Sequence, residues 1–353
     1  MDGRKYVSLD GLRGVAALAV VLYHLPGPLH ALAPRGYLAV DLFFLLSGFV
    51  LAGAYEARLR AGLVPGAFLL IRLKRLWPVY AVGVVLGVFV FSLVRALCPE
   101  AGFAFPHETM AQAILTSLLF LPQFAAYGGP AFPFNAASWS LSVELFGNLA
   151  YAALARTLRA PLLAALICVG LAGVALVALK TGTLDVGVSP SNLAGGYIRF
   201  LFSFPAGIAL WRLEAAGRLP TMRSPLWLAF AAAAFAFCGG GGGAARDIVT
   251  VVFLFPAILV AARGNPRSAR LARAFAWAGA VSYPLYVLHP PLVVALSALA
   301  SPSALPLASL AVLCGTIAAA ALANRYFDRP VQALLRRPPQ ADAATIPARG
   351  GAD

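Results

Sequence analysis

The sequence predicts an all-α fold, a polytopic helical bundle embedded in a membrane. Hydrophobic residues make up 61% of the 353 residues and charged residues only 11%, whereas about a quarter of residues are charged in soluble domains. The mean hydropathy is +0.84. Apolar runs long enough to cross roughly 30 Å of hydrocarbon recur along the chain. These observations argue against a soluble globular domain and predict an integral-membrane protein with many crossings.

The apolar runs predict about ten transmembrane helices in order along the chain. A further run, Ala111–Leu121, is too short to cross and is closed by Pro122, so we expect a re-entrant or interfacial segment there. We assign residues 1–335 to one integral-membrane domain and residues 336–353 to a short polar cytoplasmic tail. The predicted helices start near residues 9, 38, 76, 137, 160, 193, 225, 247, 277 and 304.

The distribution of basic residues predicts the orientation of the bundle. With ten crossings and a cytoplasmic N-terminus, most of the 27 Lys and Arg lie on the cytoplasmic side. We therefore expect a multi-pass protein of the inner membrane with both termini in the cytoplasm. Basic residues beside the inner leaflet account for the net charge of +14, so no nucleic-acid partner is needed. The basic residues expected outside or near the outer edge are Arg35, Arg95, Lys180, Arg199 and Arg246.

The sequence also gives expectations for signal-peptide cleavage, for the cysteines and for attached domains. The segment Ala31–Ala33 is similar to a signal-peptide cleavage site, but Pro34 follows directly, so we expect the first apolar run to be retained. The 4 cysteines have no paired spacing, and we expect neither a metal site nor a disulfide framework. The sequence ends shortly after Pro338, and we expect no attached soluble domain.

Two ionisable residues, Arg13 and His24, lie on the first predicted helix. An ionisable group at membrane depth costs at least a few kcal/mol, so such residues usually serve a function. They are eleven residues apart, which is about three helical turns, and they therefore share a face. The first helix is expected to carry part of a functional site.

The depths of polar residues in the predicted helices fall into two levels. His24 lies in the outer half of the first helix, and Glu144 and Arg199 come to a similar depth, so we expect these three side chains to be able to meet. Arg13 and Arg72 lie at the cytoplasmic end. We expect one site facing each side of the membrane, joined through it.

Arg72 and Arg75 lie just before Pro78 at the start of the third helix. Residues three apart are neighbours on a helix, so the two guanidinium groups can together hold a phosphorylated cofactor through forked hydrogen bonds. The alternative is a basic anchor at the membrane surface, with Trp77 and Tyr80 at the interface. Both interpretations remain open from the sequence.

Four further polar positions need a structural or a functional explanation. Asp41 is either a solvated boundary residue or the partner of a cation or a substrate hydroxyl. Ser47 and the following glycine most often serve close helix packing. Glu144 needs a partner or a proton because it lies inside a predicted helix. His289 either satisfies carbonyl groups freed by nearby prolines or binds substrate.

Five sequence elements in order resemble the integral-membrane acyltransferase-3 family, over about Tyr6 to Arg337. The segment Tyr326–Pro330 also resembles the closing motif of that family, with Asp328 where Glu is more usual. The five elements are Leu9–Gly14 followed by His24, Asp41–Phe49, Arg72–Pro78, Ser138–Glu144, and Ser282–Pro290.

The resemblance implies an O-acyltransferase. Members of the family move an acyl group, commonly acetyl from acetyl-CoA, to hydroxyls of cell-envelope saccharides, peptidoglycan, lipopolysaccharide or antibiotics. It implies acyl-CoA as co-substrate, a saccharide or lipid-linked acceptor in the envelope, and no metal. It makes His24 the essential histidine with Arg13 as its companion, and places Arg72 and Arg75 in the acyl-CoA region. The residues expected at the substrate site are Asp41, Ser47, Trp139, Ser140, Tyr286 and His289.

A mechanism follows from the chemistry of thioesters and from the predicted depths. A base must remove the proton of the acceptor hydroxyl, and neutral His24 suits this role near pH 7. We expect Glu144 to orient the imidazole and stabilise the imidazolium, as a carboxylate does in hydrolytic triads. Candidates for oxyanion stabilisation are Arg13, Ser140 and Tyr286. A secondary transporter or a glycolipid flippase would also place polar groups at membrane depth, and remains an alternative.

Overall fold

The computed structural model is a bundle of helices, with no strand in the parts of the chain that it describes. The described residues are 6–98, 110–123, 130–220, 226–239 and 243–335, so the predicted polar tail lies outside them. Within these ranges, 8 helical segments are long and apolar enough to cross a membrane. The predicted all-α polytopic fold is confirmed.

Two of the spans contain a π-helical turn. The turn Thr250–Leu254 joins α9 to α10, and the turn Asn324–Asp328 joins α12 to α13. The helices are α1 (Val7–His24), α2 (Ala39–Arg60), α3 (Pro65–Leu97), α4 (Met110–Leu118), α5 (Ser138–Leu154), α6 (Ala160–Thr181), α7 (Leu193–Ala215), α8 (Leu226–Cys238), α9 (Gly243–Val249), α10 (Phe255–Ala261), α11 (Ala269–Leu299), α12 (Leu305–Ala323) and α13 (Arg329–Leu335).

The bundle has two ends that differ in charge. We name the end where α1 begins and α2 ends the basic end, and the opposite end, where α1 ends at His24, the far end. At the basic end the Ser8 hydroxyl donates to the carbonyl oxygen of Gly264. The Gln332 amide of α13 donates to the carbonyl oxygen of Lys74 at 2.9 Å. The first and last described helices therefore meet the same end of the bundle.

Two of the ten predicted crossings are shorter than the others. Helix α5 has 17 residues and the described part of α8 has 13, and both run between the basic end and the far end. The described part of α4 has 9 residues, fewer than a crossing of the bilayer needs. Its position corresponds to the run Ala111–Leu121 that was expected to stop short.

Small residues allow the site-bearing helices to approach closely. A Cβ atom added at Gly14 of α1 would lie 2.6 Å from the Cβ of Ala278 on α11. A Cβ at Gly48 of α2 would collide with the carbonyl oxygen of Phe204 on α7, and one at Gly207 would collide with that of Leu45. Gly48 therefore serves helix packing, and this packing sets the position of its neighbour Ser47.

Candidate active site

A cavity of about 630 Å³ lies among α1, α2, α3, α5 and α11. On α2 its lining residues run from Val40 to Ala54, which is about 21 Å along the helix axis. On α1 the lining begins at Tyr6 and includes Arg13. The cavity is therefore elongated, and it extends from the basic end over much of the thickness of the bundle.

Arg13 and Arg72 both line this cavity. Within the described residues, the Arg13 guanidinium forms no hydrogen bond or ion pair, and none of its nitrogens is a buried atom without a partner. Its charge is therefore open to the cavity. Arg72 donates to the Glu144 carboxylate at 3.1 Å. Arg13 therefore offers the cavity a guanidinium that can bind an anionic group, beside the Asp10 and Glu144 carboxylates that line the same cavity.

Glu144 takes part in a different contact from the one predicted. Its Oε1 accepts hydrogen bonds from the Ser47 hydroxyl at 2.6 Å and from Arg72 at 3.1 Å. No hydrogen bond joins it to His24 in the described part of the chain, because His24 ends α1 whereas Glu144 lies six residues inside α5. The prediction that Glu144 orients His24 is wrong, and so is its predicted meeting with Arg199.

Arg75 lies one turn beyond Arg72 and has another partner. Its Nη1 donates to both carboxylate oxygens of Asp328, at 3.0 and 2.8 Å. Arg75 is not among the described residues that line the cavity, although Tyr283, whose ring centroid is 5.9 Å from the Arg75 guanidinium carbon, is among them. The predicted pair of arginines is thus divided: Arg72 faces the cavity and Arg75 joins α3 to the π-turn before α13.

Two hydroxyl groups meet in the cavity wall farther from the basic end. The Ser140 hydroxyl of α5 lies 2.6 Å from the Tyr286 hydroxyl of α11. The Tyr286 ring packs edge-on against Phe43, with ring centroids 5.6 Å apart. All three residues line the cavity. Because a hydroxyl can both donate and accept, this pair can donate a hydrogen bond into the cavity.

A histidine pair lies beyond these hydroxyls, towards the far end. The ring centroid of His289 is 5.9 Å from that of Tyr286 and 5.0 Å from that of His24. His289 is fully buried, whereas His24 is exposed. The Nε2 atom of His289 lies 3.4 Å from the Nδ1 atom of His24. The sequence placed both histidines at the site but did not predict this contact.

Carbonyl contacts define which nitrogen of each ring carries the proton. His24 Nδ1 lies 2.8 Å from the carbonyl oxygen of Val20, and His289 Nδ1 lies 3.2 Å from that of Leu285. A carbonyl oxygen only accepts, so each Nδ1 must donate. In the neutral ring the Nε2 of His24 is then unprotonated. It is the nitrogen that can accept a proton.

Asp41 and Trp139 do not lie where substrate binding was predicted. Asp41 is 0% exposed and accepts three hydrogen bonds from Arg199, at 3.3, 3.1 and 2.6 Å. Trp139 is also buried, and its ring lies 5.4 Å from the guanidinium carbon of Arg199. Neither Asp41 nor Trp139 is among the described residues that line the cavity. A buried carboxylate needs a partner, and Asp41 finds it in α7.

Some of the remaining residues predicted at the substrate site line the cavity, and one does not. Ser47, Ser140 and Tyr286 line the cavity, whereas His289 is not among the described residues that line it. Tyr6 and Asp10 also line the cavity, although the sequence analysis gave them no role. Asp10 belongs to the run Leu9–Gly14 that drew attention to Arg13, so its place in the first turn of α1 was the available signal.

Together, the elongated cavity with arginines at one end and the histidine pair beyond the other end form the candidate active site, enclosed by membrane helices. The acyltransferase-domain family Acyl_transf_3 matches residues 6–325, and the chain belongs to this family. It is an acyltransferase of this family and a multi-pass membrane protein.

Several curated relatives are similar to parts of this chain. Protein 2 in the picA locus of Rhizobium radiobacter is 39% identical over 155 residues, which is 42% of this chain and 81% of that protein. The peptidoglycan O-acetyltransferase OatA of Listeria monocytogenes is 27% identical over 82% of this chain and 50% of its own length. The exopolysaccharide production protein ExoZ of Rhizobium meliloti is 30% identical over 36% of this chain and 35% of that protein. No solved structure matches the chain significantly.

Proposed function

We propose that this protein transfers an acyl group, expected to be acetyl, from cytoplasmic acyl-CoA to a hydroxyl of an envelope saccharide or lipid-linked glycan outside the inner membrane. The observation that carries the proposal is the order of groups across the bundle, from Arg13 and Arg72 through the Ser140–Tyr286 pair to His289 and His24. The names of two relatives, which refer to peptidoglycan O-acetylation and exopolysaccharide production, support an envelope acceptor.

The basic end suits the donor. Excess Lys and Arg favour the cytoplasmic side of a membrane, where acyl-CoA is found. The phosphates of the donor bind Arg13, whose guanidinium is open to the cavity, and Arg72. Charge-assisted hydrogen bonds to a guanidinium are among the stronger polar contacts in proteins. The thin pantetheine arm then extends along the cavity and brings the thioester close to Tyr286.

The far end suits the acceptor. His24 is exposed there and its Nε2 is free to take the hydroxyl proton. The acceptor oxygen attacks the thioester carbonyl, the C–S bond breaks, and the proton held by His24 passes to the CoA thiolate. One hydrogen bond donated by the Ser140–Tyr286 pair stabilises the developing oxyanion. His289 packs against both Tyr286 and His24 and so connects the cavity wall with the proposed base.

Labelled acetyl-CoA tests the proposal directly. Purified protein in liposomes receives acetyl-CoA labelled in the acetyl group, together with an envelope saccharide fraction from a strain that lacks the protein. We expect the label in the saccharide fraction with the wild type and none above background with His24→Ala. The matched control is Ser303→Ala, an exposed far-end residue that contacts only Ser301 among the hydrogen bonds described.

The outcomes separate the enzyme from the alternatives. Movement of unmodified saccharide or intact donor across the liposome membrane, without any acyl transfer, would identify a transporter or flippase instead. Full transfer activity in His24→Ala would remove this histidine as the base while leaving the acyltransferase in place.

A further inference from the structure

Three aspartates at the far end, among the described residues, have different surroundings. Asp41 and Asp247 are 0% and 1% exposed, and they pair with Arg199 and Arg35. Asp185 lies in the loop between α6 and α7, is exposed, and forms no ion pair within the described chain. Its negative charge therefore lies at the surface without an ion-pair partner among the described residues. Most such residues are merely solvated, so the contacts of Asp185 decide whether it belongs to a site.

Hydrogen bonds hold the backbone on both sides of Asp185. The backbone N–H of Leu184 donates to the Asp247 carboxylate at 2.8 Å. The Arg199 guanidinium donates to the carbonyl oxygen of Val186 at 2.9 Å. Each contact comes from a residue in a buried ion pair. The two ion pairs thus fix the residues before and after Asp185, and its side chain is presented in one place, as a pre-organised binding group requires.

Tyr23 connects this carboxylate to the proposed base. Its hydroxyl donates to Asp185, and its ring centroid lies 5.0 Å from that of His24 and 5.3 Å from that of His30. His30 in turn is held by a 2.6 Å hydrogen bond from its Nδ1 to the carbonyl oxygen of Tyr23. An exposed carboxylate, aromatic surface and the proposed base are therefore neighbours at the far end.

We propose that Asp185 and Tyr23 form the acceptor subsite and bind a neutral, hydroxyl-rich saccharide ring beside His24. This inference rests on the proposed function. The carboxylate only accepts, so it takes a hydrogen bond from a sugar hydroxyl, while the Tyr23 ring offers apolar surface to the C–H face of the sugar. The negative charge of Asp185 disfavours an acidic sugar at this position. Both are positioning residues, because His24 takes the proton.

Acceptor kinetics test the subsite. With purified protein, labelled acetyl-CoA and the envelope saccharide fraction described above, Asp185→Asn raises the half-saturating acceptor concentration about tenfold or more, the size of a lost charge-assisted hydrogen bond. The KM for acetyl-CoA and the Tm stay at their wild-type values, since Asp185 is exposed and remote from the donor cavity. Asp185→Glu keeps the carboxylate and recovers much of the loss. Tyr23→Phe keeps the ring and gives a smaller rise.

Each outcome bears on a different claim. Wild-type acceptor kinetics in Asp185→Asn, with wild-type transfer intact, would overturn this inference alone. A fall in Tm together with a rise in the KM for acetyl-CoA would assign Asp185 to fold stability and also overturn it. If the wild type transfers no label from acetyl-CoA, the proposed function fails and the subsite fails with it.

Discussion

Arg72 and Glu144 are in direct contact in the cavity wall, with 3.1 Å between the Arg72 Nη2 and the Glu144 Oε1. The Ser47 hydroxyl adds a second hydrogen bond to the same oxygen. Three helices, α2, α3 and α5, therefore contribute to one polar contact in this wall. The carboxylate holds Arg72 at the wall of the donor cavity, and it has no contact with the histidine pair in the described residues.

Neutralising Glu144 should affect stability more than chemistry. Glu144→Gln removes the partner of a partly buried guanidinium, which should lower the free energy of unfolding by about 1–3 kcal/mol and reduce the Tm in detergent. We expect kcat to stay within about tenfold of wild type, rather than fall by the roughly 10⁴ that follows neutralisation of a triad carboxylate. Adding Arg72→Gln should restore much of the Tm. A loss of kcat of that larger size at unchanged Tm would return Glu144 to the chemical step.

Donor affinity should distinguish the three arginines. Arg13→Gln and Arg72→Gln each remove a cation from the cavity, so we expect the KM for acetyl-CoA to rise about tenfold in each. Arg75→Gln should change it less, because Arg75 pairs with Asp328 outside the cavity lining. Steady-state kinetics at saturating acceptor measure this order. A larger effect of Arg75→Gln than of Arg72→Gln would contradict the assignment.

The sequence was sufficient for the fold class and for the helix order, because apolar runs and basic loops depend on the bilayer and not on tertiary contacts. It was not sufficient for contacts between distant helices. His24 and His289 are 265 residues apart, and their contact depends on the register of α1 against α11, which Gly14 and Ala278 help to set.

The depth of Glu144 was misjudged for a related reason. The predicted helix starts placed Glu144 at the same depth as His24. In the structure, His24 is the last residue of α1 at the far end, whereas Glu144 lies six residues inside α5 on the way to the basic end. Arg199 and Asp41 were likewise placed near the far end, but sequence alone gave no reason to pair them. A choice between Asp41 and Glu144 as the partner of Arg199 requires knowing that α2 packs against α7, which the contacts of Gly48 and Gly207 reveal.

The Arg199–Asp41 pair should be a main determinant of stability. Removing one member of a buried ion pair typically costs about 3–5 kcal/mol, because the other charge is left uncompensated. We therefore expect Asp41→Asn to lower the Tm strongly, and Asp41→Asn combined with Arg199→Gln to recover part of the loss. Asp185→Asn serves as the exposed control and should leave the Tm unchanged. Equal Tm values for the Asp41 and Asp185 variants would contradict this role.

His289 should support His24 without taking part in proton transfer to the acceptor. His289→Phe removes the nitrogen that faces His24 Nδ1, so the orientation of the base is less well defined. We expect kcat to fall by about 10–100-fold, the range seen when an outer partner of a working histidine is lost, with the KM for acetyl-CoA unchanged. His289→Asn retains an acceptor and should recover part of kcat. A Phe variant with wild-type kcat would leave His289 as a residue that only satisfies the Leu285 carbonyl.

The orientation of the bundle can be tested independently of catalysis. In a background without the 4 native cysteines, we place a single cysteine at Ser301, which is exposed between α11 and α12, or at Ser268, which is exposed before α11. These positions lie at the far end and the basic end. Because the basic end is expected in the cytoplasm, Ser301→Cys should react with a membrane-impermeant thiol reagent on intact cells. Ser268→Cys should react only after permeabilisation. The reverse pattern would place His24 on the cytoplasmic side, and the donor and acceptor ends of the proposed mechanism would then have to be exchanged.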